Sequence, residues 1–193
     1  MNLDQAAQYG RVIWLTGLSA AGKTTLGRAI CADLRALGYR VDQLDGDEIR
    51  RDLSSDLGFS AADRDENVRR IGQFAHMLAG QGLIVVVSAM SPFRQARARV
   101  RDLIPNFIEV YVNAPLEICS KRDRKDLYQR ARGGQLRDVP GVDLPYEPPY
   151  HPQIECRTDR ETVEESVQKI LAYVLPRLPV ADLADCQPEC AEP

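Results

Sequence analysis

One eight-residue segment near the start of the chain constrains the fold more than any other feature. Residues 17–24 have the sequence GLSAAGKT, which fits the pattern G-x-x-x-x-G-K-[ST] at every fixed position. The apolar residues 12–16 before it predict a strand, and residues 23–37 predict a helix that ends at Gly38. A glycine-rich turn between a strand and a helix is the setting in which this pattern forms a phosphate-binding loop, or P-loop.

The fixed positions of this loop have distinct physical roles. Glycines let backbone N–H groups converge on phosphate oxygens, and the helix N-terminus adds a partial positive charge. Lys23 would reach the β- and γ-phosphates of ATP, and the Thr24 hydroxyl would ligate Mg²⁺. The alternative is a glycine-rich turn with an incidental lysine. The ATP-binding candidates are Gly17, Leu18, Ser19, Ala20, Ala21, Gly22, Lys23, Thr24 and Thr25.

Short apolar runs alternate with longer amphipathic stretches along the chain, which predicts βαβ units and a doubly wound parallel sheet. The further strands are expected at residues 41–44, 83–87, 107–112 and 154–156, and the further helices at residues 62–79 and 161–175. The run 83–87 is bulky on both faces, as in a central buried strand. No aspartate ends this strand, which argues against a motor protein or a GTPase.

The chain divides into one domain with two terminal segments. We expect an N-terminal segment at residues 1–10, the domain at 11–178 and a disordered tail at 179–193. Between about residues 122 and 152 the periodic pattern gives way to a charged half and a proline-rich half. A structureless stretch of this length in a compact domain is typical of a lid over an active site.

Two carboxylates follow the second predicted strand, in Asp45-Gly46-Asp47. The parallel-sheet rule places them at the same carboxyl edge as the phosphate-binding loop. Carboxylates there suit the organisation of Mg²⁺ and the activation of an acceptor hydroxyl. The alternative is a turn with a helix N-cap. Thr24 and Asp47 are the metal-ligand candidates.

Charge and composition limit the partners. The net charge of −3 provides no basic field for nucleic acid, and the basic residues 94–101 fit one exposed helix face. The run 83–87 is too short to cross a membrane, and the polar residues 1–10 lack the features of a signal peptide. We therefore expect a cytoplasmic protein without nucleic-acid or membrane partners. Five cysteines, an odd number, do not suggest a disulfide framework.

Several segments together resemble the adenylylsulfate kinase family over about residues 10–175. They are GLSAAGKTT, LDGDEIRRDLSSDLGFSAADRDENVRRIG, LIVVVSAMSPFR, FIEVYV, KDLYQRAR and DLPYEPP. The resemblance implies a P-loop kinase fold with a five-stranded parallel sheet, a mobile lid and a homodimer. It implies ATP-dependent phosphorylation of the ribose 3′-hydroxyl of adenosine 5′-phosphosulfate, giving 3′-phosphoadenosine 5′-phosphosulfate in sulfate assimilation. A functional link to an ATP sulfurylase stays open.

The resemblance also implies roles for single residues. Asp47 is similar to the family's acidic residue near the accepting hydroxyl and the metal, and Arg122 with Asp123 resembles the pair that meets the ATP adenine. Ser91 matches a serine described as a phosphoserine intermediate. The substrate-binding candidates are Asp47, Arg50, Phe59, Arg64, Asn67, Ser91, Lys125 and Leu127. The alternative for the arginines is a solvated charged face.

Lys23, Asp47 and Ser91 are the catalytic candidates. No histidine or lysine stands beside Ser91 to act as its base, so the residues themselves favour direct transfer, with Ser91 in a positioning role. The chain also departs from the family at the loop, where Ala20 replaces a common glycine. An alanine is tolerated there if its φ angle stays negative.

Two other functions fit part of this pattern. One is a P-loop kinase for a nucleoside, a sugar acid or shikimate, against which the segment GFSAADRDEN argues. The other is a non-catalytic nucleotide-binding module attached to a partner such as a sulfurylase. The presence of Lys23, Asp47 and the basic lid residues argues against that module.

Overall fold

The computed structural model describes residues 9–178. It contains a five-stranded sheet with the order β2-β3-β1-β4-β5, in which every pair of neighbouring strands is parallel. The strands are β1 (Arg11–Thr16), β2 (Val41–Asp45), β3 (Ile84–Ser88), β4 (Phe107–Asn113) and β5 (Ile154–Arg157). The predicted α/β architecture is confirmed, and the strand bounds shift by only one residue at an end.

Seven helices cover the sheet in the described part of the chain, followed by a short 3₁₀ turn at Leu175–Arg177. They are α1 (Lys23–Ala36), α2 (Gly46–Leu53), α3 (Ala61–Gly80), α4 (Arg94–Leu103), α5 (Leu116–Arg122), α6 (Leu127–Arg132) and α7 (Val163–Val174). The helices α2, α5 and α6 were not predicted from the sequence. Each of these helices buries a single side chain, so no apolar periodicity marks it.

The core lies in two layers, one on each face of the sheet. On one face, α1 and α7 pack Leu26, Ile30 and Ile170 against the strands. On the other face, α3 and α4 contribute Ile71 and Val100. The central strands β1 and β3 are buried on both faces, as expected for a parallel sheet. The sheet therefore presents its carboxyl edge as the available place for a site.

The predicted lid segment has more secondary structure than its sequence pattern indicates. It contains α6, and its proline-rich half forms a bridge between Pro140 and Leu144. The prediction that residues 122–152 lack secondary structure was wrong, because Tyr128 anchors α6 as a fully buried side chain.

Some predictions fall outside the described residues. The disordered tail at 179–193, with Cys186 and Cys190, and most of the N-terminal segment are among them. Within residues 9–178 the three cysteines are unpaired and buried. No helix in that range combines the length and the apolar character that a membrane crossing requires.

Candidate active site

A cavity of about 890 Å³ opens at the carboxyl edge of the sheet and is lined by residues that follow each of the five strands. Most of the predicted site residues line it: Ser19, Ala20, Gly22, Lys23, Thr24, Thr25, Asp47, Arg50, Phe59, Arg64, Asn67, Ser91, Arg122, Lys125 and Leu127. The exceptions are Gly17, Leu18 and Ala21, which lie behind the lining. The fold thus brings both predicted nucleotide sites to one place.

Hydrogen bonds of Lys23 and two glycines fix the shape of the phosphate-binding loop. Nζ of Lys23 donates to the carbonyl oxygens of Gly17 at 3.0 Å and Leu18 at 2.7 Å, which ties the lysine across the loop. Gly17 is needed because a Cβ atom there would lie 2.3 Å from the carbonyl oxygen of Val112. Gly22 has a φ angle of 107°, a conformation that glycine adopts at no steric cost.

The N-terminus of α1 is left free for an anion. The helix begins at Lys23 with no side-chain cap and no acidic residue in its first turn, whereas capping boxes close the N-termini of α3 and α7. The first N–H groups of a helix have no intrahelical partner, so this end suits a phosphate group. Burial lowers the pKa of Lys23 from 10.5 to about 8. An anion bound beside it would favour the charged form and raise this pKa again.

Ala20 corrects one expectation about the loop. Its φ angle is 59°, in the left-handed region, and not negative as the sequence analysis required for an unstrained alanine. The chain turns here, and the backbone N–H of Ala21 donates to the carbonyl oxygen of Leu18 at 3.2 Å. An L-residue in this conformation costs about 1 kcal/mol relative to glycine.

A hydroxyl and a carboxylate meet beside the loop. Oγ1 of Thr24 donates to Oδ2 of Asp45 at 2.7 Å, and both residues line the cavity. The other carboxylate oxygen of Asp45 accepts from the backbone N–H of Asp47 at 3.0 Å, which makes Asp45 the N-cap of α2. Asp45 is therefore the helix N-cap that the alternative interpretation predicted, and it also contacts Thr24. These hard oxygen ligands fit Mg²⁺, which is usually held by one or two carboxylates and otherwise by water and phosphate.

A flat surface for an aromatic ligand lies on the β2 side of the cavity. The guanidinium carbon of Arg50 lies 4.3 Å from the ring centroid of Phe59, and that of Arg64 lies 5.5 Å from it. The ring itself is 59% exposed. An exposed aromatic ring between two planar cations offers stacking and bidentate donors at the same point.

Two neighbouring side chains of α3 also face this surface. Arg64 donates through Nε at 3.2 Å and Nη2 at 2.7 Å to the carbonyl oxygen of Asp138, in the predicted lid. Asn67 lines the cavity, and its Oδ1 atom has no hydrogen-bond partner among the described residues. This oxygen is buried, so it is an unpaired acceptor beneath the lining and not one exposed to the cavity.

Ser91 lies at the floor of the cavity and is only 2% exposed. Its φ angle of 34° is unusual for a residue other than glycine. Nε1 of Trp14 donates to its Oγ at 3.0 Å, and Oγ lies 2.9 Å from the hydroxyl of Thr16. The hydroxyl is thus already held by two protein groups, and neither group is a general base.

The predicted lid contacts both sides of the cavity. Lys125 forms an exposed ion pair with Asp47 across the opening. Tyr128 donates its hydroxyl to the carbonyl oxygen of Ser19 in the phosphate-binding loop at 2.9 Å. Nη2 of Arg122 donates to the carbonyl oxygen of Thr158 at 2.7 Å.

Some lining residues were missed by the sequence analysis. They include Thr158, Glu161 and Thr162 after β5. The hydroxyl of Thr158 donates to the carbonyl oxygen of Ala21 at 2.7 Å, so this segment supports the phosphate-binding loop from behind. The rule that sites form at the carboxyl ends of parallel strands could have identified these residues.

The uncapped helix, the lysine across the loop and the parallel sheet define a P-loop phosphotransferase. The family model described as adenylylsulphate kinase matches residues 9–157. The chain belongs to the adenylylsulfate kinase family. This membership decides against the alternatives of a kinase for a nucleoside, a sugar acid or shikimate and of a non-catalytic module.

Individual relatives agree with this assignment. An adenylyl-sulfate kinase of Microcystis aeruginosa is 55% identical over 163 residues, which are 84% of this chain and 90% of the relative. The structure of the Mycobacterium tuberculosis APS kinase CysC, in complex with AMPPNP and APS, has a TM-score of 0.83 at 38% identity and covers 86% of this chain and 98% of its own. A hexameric APS kinase from Thiobacillus denitrificans has a TM-score of 0.68 at 35% identity, covering 90% of this chain and 30% of its own.

Proposed function

We propose that this chain transfers the γ-phosphoryl group of ATP to the ribose 3′-hydroxyl of adenosine 5′-phosphosulfate and so forms 3′-phosphoadenosine 5′-phosphosulfate in sulfate assimilation. One observation carries the proposal: a phosphate-binding loop and an aromatic ring flanked by two guanidinium groups face the same cavity. A purine nucleotide with a phosphosulfate group needs a flat apolar surface and planar bidentate donors. The relative solved with AMPPNP and APS supports both ligands.

The donor side would hold the triphosphate by backbone N–H groups, the N-terminus of α1 and the charge of Lys23. We assign Mg²⁺ to Thr24 and Asp45, because their oxygens already meet and face the cavity. When bound, the metal would neutralise charge on the β- and γ-phosphates. Asp47, named from the sequence as a metal ligand, is paired with Lys125 and is better placed for the acceptor.

On the acceptor side, Arg50, Phe59, Arg64 and Asn67 would bind adenylylsulfate, and Asp47 would orient its 3′-hydroxyl and accept the proton. The ion pair between Asp47 and Lys125 has to open for this, which costs little because both side chains are exposed. Lys125 would then be free to contact a phosphate group, in agreement with its predicted role as a substrate-binding residue of the lid.

Transfer is proposed to be direct, with Ser91 as a positioning residue. A phosphoserine route needs an exposed hydroxyl with a base beside it. The Ser91 hydroxyl is instead buried and bonded to Trp14 and Thr16, neither of which accepts a proton at neutral pH.

The first experiment measures ADP release with adenylylsulfate as the acceptor, compared with adenosine 5′-phosphate, gluconate and shikimate. We expect ADP and 3′-phosphoadenosine 5′-phosphosulfate in equal amounts, and only background ADP with the other acceptors. ADP formation at the same rate without adenylylsulfate would contradict the proposed function.

The second experiment separates the two routes. Ser91→Ala should retain measurable kinase activity, whereas Asp47→Ala should lose about 10²-fold or more, as for loss of a general base. A chirally labelled γ-phosphate should show inversion, because a single in-line displacement inverts the phosphorus. Net retention, or a phosphorylated Ser91 that forms and decays at the turnover rate, would contradict direct transfer.

We further propose that the protein is a cytoplasmic homodimer, as the family resemblance implies. A hexameric relative is consistent with self-association in the family. Light scattering during size-exclusion chromatography would give the mass, and a mass of one chain at micromolar concentration would contradict the dimer.

A further inference from the structure

A buried ion pair lies beneath the acceptor side of the cavity and has no part in the mechanism above. Arg97 of α4 is 2% exposed and Glu109 of β4 is 3% exposed. Nε of Arg97 donates to Oε1 of Glu109 at 2.9 Å. Removing two charges from water is costly even when they pair, so stability alone is a weak reason for such a pair.

The remaining donors of Arg97 reach two other segments. Nη1 donates to the carbonyl oxygen of Ser91 at 2.6 Å, and Nη2 donates to the carbonyl oxygen of Glu147 at 2.6 Å. One planar guanidinium thus joins β4, the loop after β3 and the end of the predicted lid. A lysine carries its donors on a single nitrogen and cannot reach three separated acceptors in this way.

The Ser91 contact coincides with backbone strain. Ser91 has its φ angle of 34° because its carbonyl oxygen and its hydroxyl are both held, the first by Arg97 and the second by Trp14 and Thr16. A sparsely populated backbone conformation persists only where the surroundings fix it at several points. Arg97 is one of those points.

The end of the predicted lid is fixed to the same loop. The backbone N–H of Glu147 donates to the carbonyl oxygen of Pro92 at 2.9 Å, and its carboxylate accepts from the backbone N–H of Arg94 at 2.8 Å. The hydroxyl of Tyr146 lies 3.0 Å from that of Thr16. Residues 146–147 are therefore hydrogen-bonded to the end of β1 and to the segment after β3.

We propose that Arg97 is a positioning residue for the acceptor nucleotide. It lies under the lining and sets the backbone of Ser91 and Pro92, while it anchors the lid segment at Glu147. The loop after β3 contacts the acceptor side directly, since a Cβ atom at Gly46, in the segment with Asp47 and Arg50, would lie 3.4 Å from Cα of Ala89. The inference rests on the proposed function, since it assigns the side of the cavity that adenylylsulfate occupies.

The test compares Arg97→Lys with the matched variant Arg101→Lys. Arg101 lies on the same helix and donates to the other oxygen of Glu109, but it bonds neither Ser91 nor Glu147. Arg97→Lys should raise the KM for adenylylsulfate about 10-fold or more, the effect of one charged hydrogen bond, and leave the KM for ATP within about 2-fold. Arg101→Lys should leave both KM values near those of the wild type.

A second measurement does not depend on turnover. Trp14 is the single tryptophan of the chain, and its indole N–H is bonded to Ser91. Displacing Ser91 changes that bond, so Arg97→Lys should shift the emission of Trp14, whereas Arg101→Lys should not. If Arg97→Lys does not fold, Tyr146→Phe should raise the KM for adenylylsulfate in the same direction by a smaller factor, since it loses only the contact with Thr16.

Three results would overturn the proposal: a wild-type KM and wild-type emission in Arg97→Lys, an equal rise of both KM values in that variant, or the same changes in Arg101→Lys. A wild-type protein without adenylylsulfate-dependent ADP release would contradict the proposed function instead. In that case, the emission comparison alone would still decide whether Arg97 holds Ser91.

Discussion

The two halves of the cavity are built from different parts of the chain. The donor half, residues 17–25, is a loop that packs against β4 and whose carbonyl oxygens accept hydrogen bonds from Lys23, Tyr128 and Thr158. The acceptor half consists of long side chains, and its aromatic ring, Phe59, is largely exposed. The donor half is therefore preformed, whereas the acceptor half has to be ordered by its ligand, at a cost in side-chain entropy.

The acceptor half is also held by weaker interactions than the donor half. The acceptor half is held by the ion pair between Asp47 and Lys125 and by cation–π contacts on Phe59, which at exposed positions contribute about 0 to 1 kcal/mol each. Such contacts are easily exchanged for contacts with a ligand. Substitutions in the donor half should accordingly act on turnover, and those in the acceptor half on one binding constant.

The largest effect is expected at Lys23. Lys23→Ala should lower turnover by about 10²-fold or more, because it removes a charge whose importance grows as the γ-phosphoryl group leaves. Arg28→Ala, an exposed position on the same helix, is the control and should match the wild type. Steady-state ADP release measures both, and near-normal turnover in the Lys23 variant would break the P-loop phosphotransferase assignment.

The next effect is selective for the acceptor. Arg64→Ala should weaken adenylylsulfate binding by about 1.5 to 3 kcal/mol, the range for charge-assisted hydrogen bonds, and leave ATP binding unchanged. Calorimetry measures the two affinities separately. Arg69, on the same helix, pairs with Glu66 and does not line the cavity, so Arg69→Ala should change neither. Equal losses for both nucleotides would mean that Arg64 is structural.

A smaller effect concerns protons in the donor half. Because burial lowers the pKa of Lys23 to about 8, roughly half of these lysines are neutral near that pH in the free protein. A bound triphosphate favours the charged form, so ATP binding should take up a fraction of a proton at pH 8 and almost none two pH units lower, where Lys23 is already charged. Calorimetry in buffers of different ionisation enthalpy measures the uptake, and Lys23→Met should abolish it.

The smallest effect is expected at Ala20. Ala20→Gly should raise the free energy of unfolding by up to about 1 kcal/mol, because glycine adopts a positive φ angle without strain. Ala21→Gly is the contrasting variant and should lower stability, since Ala21 is fully buried and has a negative φ angle. Chemical denaturation measures both, and a loss of stability in Ala20→Gly would contradict the strain argument.

The sequence predicted the donor half better than the acceptor half. Spacing and glycine content specify the loop, because backbone geometry decides its function. The sheet and its buried strands followed from apolar runs. The short helices α2, α5 and α6 could not be predicted, since one buried side chain in each leaves no periodicity.

The acceptor half depended on the family resemblance. The spacing of Arg50, Phe59 and Arg64 does not indicate that the two guanidinium groups meet over one ring. Arg50 lies in α2 and Arg64 in α3, so the contact depends on how these two helices pack. The roles given to these residues stay predictions. The residues themselves predicted carboxylates near the phosphate-binding loop in Asp45-Gly46-Asp47, since β2 ends at the same sheet edge. The structure adds that it is Asp45 that contacts Thr24.

The strand order has a consequence for how the molecule is made. In the sheet, β3 lies between β1 and β2, although it is synthesised about forty residues after β2. A nascent chain that ends before Ile84 thus lacks the strand that joins the first two, and long-range pairing of this kind slows folding. The segments after β1 and β2, which carry the two proposed nucleotide sites, are held at a fixed distance only when Ile84–Ser88 pairs with both strands.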